Sequence, residues 1–431
     1  MKNFLNFIKN TPTAFHAAEK IKDTLVKAGY IELEEQELWN LKKGGKYFFT
    51  RNMSSLLAFE LPIDDVESFH ITAAHLDSPT FKLKPHFTLE KGRYLKLNTE
   101  VYGGPIYASW MDRPLGIAGR VFIEKENKVK GMLVNLDEPL VMIPSLPIHY
   151  NRNVNSGVEL NPQIDLLPLF SENKNDHFDV YDLIAQKLEV KKESIISSDL
   201  YLTVLDRGTL AGAHQEFVMA PQIDNLECSY GLLEALLQSK PVDSINVCAF
   251  FDNEEIGSST NQGAFSTMLD VTLRRIMSSL GKSVDEYYKI LSNSLMISAD
   301  NAQGFHPNYP QKYDEGNACY LNEGIVIKNA ARGSYSTDAF SSACFQKLCK
   351  LAEVKYQLNT NRSDVLGGST LGAISIRQVS IPSVDIGLAQ LAMHSAYETA
   401  GSKDLEELVK VIRYFYNHSL KITKDFTIFY F

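Results

Sequence analysis

Cysteine is scarce in this chain: its 431 residues hold five, Cys228, Cys248, Cys319, Cys344 and Cys349. The number is odd and no CxxC pair occurs, which argues against a disulfide framework and for a reducing compartment. Cys248 lies inside the apolar run INVCAFF, where a thiol serves as a small buried hydrophobe. Long apolar segments are missing too. The opening MKNFLNFIKNTPTAF interrupts its apolar residues with Asn and Lys, whereas a secretory signal needs an unbroken stretch of about 7–15 residues and a membrane helix about 20. A soluble cytoplasmic protein is expected. There is no cationic excess: 43 Lys and Arg stand against 52 Asp and Glu, a net charge of −9. Nucleic acids and anionic membranes reward clustered cations, and no basic stripe occurs, so neither is an expected partner. No GxSxG nucleophile signature appears. The GGST run at 367–370 lacks the GK[ST] ending of a phosphate loop. No internal repeat or low-complexity stretch is found.

What is there reads as globular. The hydrophobic share is 44% and the charged share 22%, an ordinary balance. The length suggests two or three domains at about 100–200 residues each. TAFHAAEKIKDTLVKA (13–28) repeats apolar residues at helical spacing and stops before Gly29. SLLAFEL and FHITAAHL read as strands, the second delivering His75 at its end. From about Pro85 to His214, short β-like runs alternate with turns (YLKLNTEV, IAGRVFIEK, KVKGMLVNL, DLYLTVLD), with one helix near 179–188 and a surface loop at SENKNDHFD. After Pro221 an α/β alternation takes over. CSYGLLEALLQS, GAFSTMLDVTLRRIMSSL and DLEELVKVIRYFYNHSL read as helices. SINVCAFFD, SLMISAD, EGIVIKN and SVDIGLA read as fully buried strands. The predicted fold is α/β: a catalytic domain with a mainly parallel sheet covered by helices, from residues 1–85 and 215–431, and a β-rich domain inserted at 86–214.

Acids and histidines gather at the ends of these strands. His75 and Asp77 follow FHITAA, Asp252, Glu254 and Glu255 follow INVCAFF, and Asp300 follows LMISA. Asp224 precedes a helix, and His394 follows the VDIGLA strand. Ligands of open α/β sheets bind beyond the carboxyl ends of the strands. Taken singly, each has a structural reading. A strand-end Asp is usually a turn or cap residue, and residues two apart on a strand merely share a face. Adjacent Glu254 and Glu255 are harder to dismiss, because two carboxylates after a buried strand repel each other unless a cation or proton intervenes. Two histidines with several carboxylates suit zinc or a similar divalent ion. A two-ion site further needs a shared carboxylate and a free one as base.

The stretches AAHLDSPTFKLKP, IHYNRNVN, APQIDNLEC, FDNEEIGSS, ISADNAQGFHPNYP, LGGSTLGA and LAMHS make the chain resemble the aspartyl aminopeptidase and vacuolar aminopeptidase I family of metallopeptidases. They occur in the family order and span most of the chain. The resemblance implies a two-metal aminopeptidase that acts on peptides. Asp224 would bridge two ions, most naturally zinc, with Mn or Co as alternatives. His75 and Asp300 would complete one ion's ligands, Glu255 and His394 the other's. Asp77 would stand behind His75, accepting its imidazole N–H. Glu254 would be the general base. His149, in the insertion, would enter a neighbouring subunit's site and help hold the oxyanion or substrate. Lys328, His306 and Tyr335 are weaker pocket candidates, and the GGST run would line the pocket. Similar two-zinc peptidases often carry a cis bond after the bridging aspartate, which makes Asp224–Asn225 a candidate for one. The family also implies dimers formed through the insertion and assembled into a tetrahedral dodecamer.

One departure touches specificity. Gln303 stands where eukaryotic aspartyl aminopeptidases would have a histidine, so acidic and neutral, leucine-type preferences both remain open. The rival readings are a serine or cysteine hydrolase, separable by its indifference to chelators, and an inactive shell-forming scaffold of the same fold. A scaffold would have eroded ligands, yet all five ligands and the base are present.

Overall fold

The computed structural model describes residues 1–174, 178–425 and 428–430. A nine-stranded sheet runs in the order Ile31–Glu32, Lys46–Arg51, Ser55–Glu60, Ser244–Phe251, Ser68–His75, Leu295–Ala299, Ser383–Gly387, Ile325–Lys328 and Tyr356–Asn359. Its four central strands, from Ser244–Phe251 to Ser383–Gly387, are mutually parallel, and every residue in them is buried. That is why they read as continuous apolar runs. The period of two still sorts their side chains. Phe69, Ile71 and Ala73 join a cluster with Leu269, Leu273 and Ile276, while Ala74 joins the opposite one with Leu232, Leu408 and Ile412. Helices therefore cover both faces, as predicted.

A six-stranded antiparallel sheet spans residues from Thr80 to Val204 and carries its own hydrophobic cluster, closed by the Val180–Leu188 helix. A capping box on Asp179 starts that helix. In a third sheet, Phe217–Ala220 pairs with Glu398–Gly401, bringing residues 217–220 beside the chain's late residues.

Several elements differ from expectation. The helix expected over 263–280 is Met268–Ser279. Gly263 belongs to a tight turn in which an added Cβ would lie 2.3 Å from the Ser258 carbonyl oxygen. The helix expected over 404–420 stops at Tyr416, and Leu420–Ile422 pairs with Ile428–Tyr430 instead. The expected loop at 171–179 begins inside a strand, Leu169–Glu172, and its residues 175–177 lie outside the described residues. Helices Lys2–Lys9, Val284–Ser292 and Ala339–Leu351 had not been expected. Among the described residues no helix is long and apolar enough to cross a membrane.

Candidate metal centre

Neighbouring parallel strands end at one place, and their terminal residues converge there. His75 closes its strand opposite Phe251, and Glu254 and Glu255 follow in a short 3-10 turn. Asp300 follows Leu295–Ala299, and its N–H bonds the Ile386 carbonyl at 2.9 Å. Gly387 permits this close approach, since a Cβ there would lie 1.9 Å from the Asp300 oxygen. Asp224 lies in a non-helical kink at the head of Ile223–Leu237, and the Asp224–Asn225 peptide is cis. The Asn225 amide donates to the Ala299 carbonyl at 2.9 Å, tying this kink to the strand that leads to Asp300.

The five expected ligands form two triads that share Asp224: His75, Asp224 and Asp300, and Asp224, Glu255 and His394. Within each triad one potential ligand atom per residue lies within 4.8 Å of the others. His75 Nε2 is 3.5 Å from Asp224 Oδ1 and 3.5 Å from Asp300 Oδ1. His394 Nε2 is 3.6 Å from Asp224 Oδ2 and 3.3 Å from Glu255 Oε2. Each Asp224 oxygen thus faces a different imidazole.

The tautomers follow from the other ring nitrogens. His75 Nδ1 meets only acceptors, the Asp77 carbonyl at 3.1 Å and its Oδ1 at 3.3 Å. His394 Nδ1 meets the Gly104 carbonyl at 3.1 Å. Both nitrogens therefore carry the proton, and both Nε2 atoms face carboxylate oxygens. Burial opposes charge on His75, but hydrogen bonds to Asp224, Asp300 and Asp77 outweigh it and raise its pKa well above the ordinary value, so positive charge is favoured at this spot. Lone pair against anion is repulsive unless a cation lies between them. Asp224 Oδ1 and Glu255 Oε1 are buried without a hydrogen-bond partner, a costly state that a cation relieves. The donor set of imidazoles and carboxylates fits a divalent ion such as zinc.

The electrostatics agree. Burial, then Asp300, raises the carboxyl of Asp224. Burial, then Asp224, raises Glu255 well above the ordinary range. Burial pushes Glu254 up to about 8, with His75 opposing. Burial opposes ionisation of Asp300 as well, but Lys328 and His75 outweigh it and hold that carboxyl at about 2. Asp77 collects donors: the Glu254 and Glu255 N–H groups at 3.1 Å each and the Tyr102 hydroxyl at 2.7 Å.

The cluster lines a cavity of about 130 Å³ with Lys328, Tyr335, Gln303, Gly368, Ser369 and Thr370. Lys328 is buried, 3.6 Å from Asp300 Oδ2 and 5.5 Å from the Tyr335 ring centre. His306 lies outside this lining. Its Nδ1 accepts the Asn308 N–H at 3.2 Å and its ring packs on Tyr309. His149 is exposed on the inserted segment and is not among the lining residues. Tyr102 and Glu398, which sequence reasoning passed over, hold the ligand-bearing backbone from behind. Tyr102 ends a nine-residue strand paired with Thr80–Lys91 and bonds the Asp77 carboxylate, while Glu398 opens a four-residue strand and reaches Asp224 only through long-range pairing.

Three comparisons bear on this geometry. The family model described as aminopeptidase I zinc metalloprotease (M18) matches residues 7–416. A probable M18 family aminopeptidase 2 from Clostridium novyi (strain NT) is 46% identical over 423 residues, covering 96% of this chain and 97% of the relative. Among solved structures, the chain in the cryo-EM structure of an Ape4 and Nbr1 complex superposes with a TM-score of 0.92 at 34% identity, covering 96% of this chain and 84% of that one. The S. cerevesiae mApe1 dodecamer superposes at 0.84 with 28% identity, covering 96% and 95%.

Proposed function

The chain belongs to the M18 family of aminopeptidase I zinc metalloproteases, and from that premise we propose that it removes single residues from the free amino ends of peptides, with two divalent ions held by His75, Asp224, Glu255, Asp300 and His394. The observation that carries the two-ion reading is Asp224, whose two oxygens face one imidazole each in two triads. Zinc is the expected ion, and the imidazole–carboxylate set also suits Mn or Co. When bound, the ions would acidify a water and polarise the scissile carbonyl.

The rest is done by side chains. Glu254, with a carboxyl raised to about 8 by burial, takes the proton of the attacking water and returns it to the leaving amine. Asp77 keeps His75 in the Nδ1–H tautomer, leaving Nε2 free for the ion. Lys328 and Tyr335 border the bound N-terminal residue. Lys328 already shares its charge with Asp300, and Gln303 is neutral, so acidic and leucine-type N-terminal residues both fit. His306 is turned to its own loop and is given no contact with substrate.

We assign residues 1–85 and 215–431 to the catalytic domain and 86–214 to an inserted dimerisation domain in a cytoplasmic enzyme. The segment around His149 exposes Leu146, Ile148, Tyr150 and Ile164. Such a patch favours a partner surface, and a dodecameric relative is known. In the assembled dodecamer His149 would reach a neighbour's site.

The test is turnover of acidic and neutral aminoacyl substrates by purified protein, stripped by chelator and reloaded with Zn, Mn or Co. Turnover by the stripped protein would reject the metal-dependent reading.

A further inference from the structure

Asp224 and His394 both lie just beyond one pair of strands, Asp224 in the kink that opens Ile223–Leu237 and His394 in the turn between Ala389–Leu391 and Glu398–Gly401. Phe217–Ala220 runs antiparallel to Glu398–Gly401, with Ala220 opposite Glu398. Beyond that pair the ladder stops. Asp224 and His394 each lie four residues beyond the paired Ala220 and Glu398; the His394 carbonyl accepts the Ile106 N–H at 2.9 Å, and its own N–H is left to a side chain. The His394 loop is also conformationally demanding. Ala392 and His394 have φ of 56° and 68°, and a left-handed conformation is strained for a non-glycine residue. Such a loop keeps one shape only if something outside it insists.

The Glu398 side chain is placed to do so. It is buried at 1% exposure. Its Oε1 accepts the His394 N–H at 2.7 Å and its Oε2 accepts the Asp224 N–H at 3.0 Å. The Gln390 amide donates to Oε1 at 3.3 Å, and that amide's own oxygen accepts from Asn301, beside Asp300. Each of these partners donates to the carboxylate. Losing an acceptor inside a protein leaves a buried N–H donor unmade, which is costly.

We infer that Glu398 is a positioning residue that clamps the backbones of Asp224 and His394 at a fixed separation, setting the ion site made by Asp224, Glu255 and His394. This rests on the two-ion reading above. Glu398 touches neither substrate nor ion. It acts by fixing where the shared carboxylate and the exposed imidazole stand. The His75–Asp300 site shares only Asp224 with the clamp, so the two ion sites depend on it unequally.

The experiment is a zinc titration of the full chain, stripped of metal, in competition with a chromophoric chelator. Folding is followed by circular dichroism and activity by aminoacyl hydrolysis. Glu398→Gln keeps the volume but presents an NH₂ group to one of the two N–H donors. Glu398→Asp keeps the charge but is one methylene too short to reach both loops. Both variants are expected to fold. Both should bind one ion with affinity near the wild type and the other about 10–100-fold more weakly, the usual cost of losing a partner behind a ligand. Turnover should recover at high zinc, which a purely structural defect would not allow. Wild-type affinity at both sites in either folded variant overturns the inference, and so does loss of fold in both, which would make Glu398 a residue of the fold. A wild-type chain that takes up fewer than two ions rejects the two-ion reading itself, and the clamp with it.

Discussion

The Tyr102 hydroxyl donates a 2.7 Å hydrogen bond to Asp77 Oδ2 and accepts one from the Asn253 amide at 2.9 Å. Tyr102 ends a strand of the six-stranded sheet, while Asp77 follows the strand of His75 in the other. The contact therefore joins the two sheets behind His75. Burial, reinforced by Asp77 and Asp252, raises the phenol's pKa, so it donates at any working pH.

Removing that hydroxyl should loosen Asp77 without emptying the pocket. Tyr102→Phe is expected to fold normally and to bind zinc about 10–100-fold more weakly. The loss falls on Asp77, which keeps its two backbone donors but not its fixed orientation. Zinc competition against a chelator measures it. Unchanged affinity would mean that the backbone donors suffice.

Glu254→Gln should retain both ions and lose turnover by about 10²–10⁴-fold, the usual cost of deleting a general base. Gln matches the shape of Glu but accepts no proton, and Glu254, which groups with His75 and Glu255, stands in neither of the two triads that share Asp224. Single-turnover hydrolysis by zinc-loaded protein separates chemistry from binding. Near-normal rates would remove Glu254 from the mechanism.

Much of this centre was legible in the sequence because it follows strand ends. His75, Glu254, Glu255 and Asp300 sit where unbroken apolar runs stop, and such runs are recognisable when strands are buried on both faces. Asp224 and His394 were picked out beside them, before a helix and after a strand, and the resemblance supplied the ligand roles of all five. Glu398 and Tyr102 were illegible for a physical reason. Tyr102 ends a nine-residue strand that gives no sign of its Asp77 contact, and Glu398 depends on contact with Asp224, 174 residues away. The start of the 268–279 helix was misplaced because GAFST looks helical by composition, while contact with Ser258 folds it into a turn. His306, a weaker pocket candidate, bonds within its own loop and lies outside the cavity lining.

Acid should destabilise the core through His70. This histidine is buried at 1% exposure, its Nδ1 lies 2.8 Å from the Phe415 carbonyl, and its ring stacks on Phe415. Burial lowers its pKa to about 3, with the Phe415 bond opposing. In the unfolded chain it titrates near 6.5. A lowered folded value means that the stabilisation is present above about 6.5 and lost as pH falls toward 3, at roughly 1.4 kcal/mol per unit. His70→Asn keeps a donor near the Nδ1 position but has no group to charge. Its melting temperature should start lower at pH 7, through lost stacking, and fall less steeply between pH 6 and 4. Parallel curves for the two proteins would show that other groups govern the acid limb.

The last prediction concerns His149. On its own chain this residue is exposed and apart from the cavity, flanked by apolar side chains that face solvent. If it completes a neighbour's site, His149→Ala should reduce turnover while leaving zinc affinity intact, because no ligand is touched. The same reasoning gives a sharper result in mixtures. A His149→Ala subunit keeps its ligands and Glu254 but offers nothing to its neighbour. A Glu254→Gln subunit has a dead site of its own yet still donates His149. When the two associate, the first subunit's site has its own base and the second's imidazole, so it should work. The other site lacks both. Two nearly inactive preparations should therefore regain up to about half the wild-type activity per mixed dimer after subunits exchange, since one of its two sites is restored. Exchange is checked independently by mass-tagged subunits. Full exchange without recovery would mean that His149 serves its own chain or no site at all, and a fully active monomer by light scattering would remove the shared site altogether.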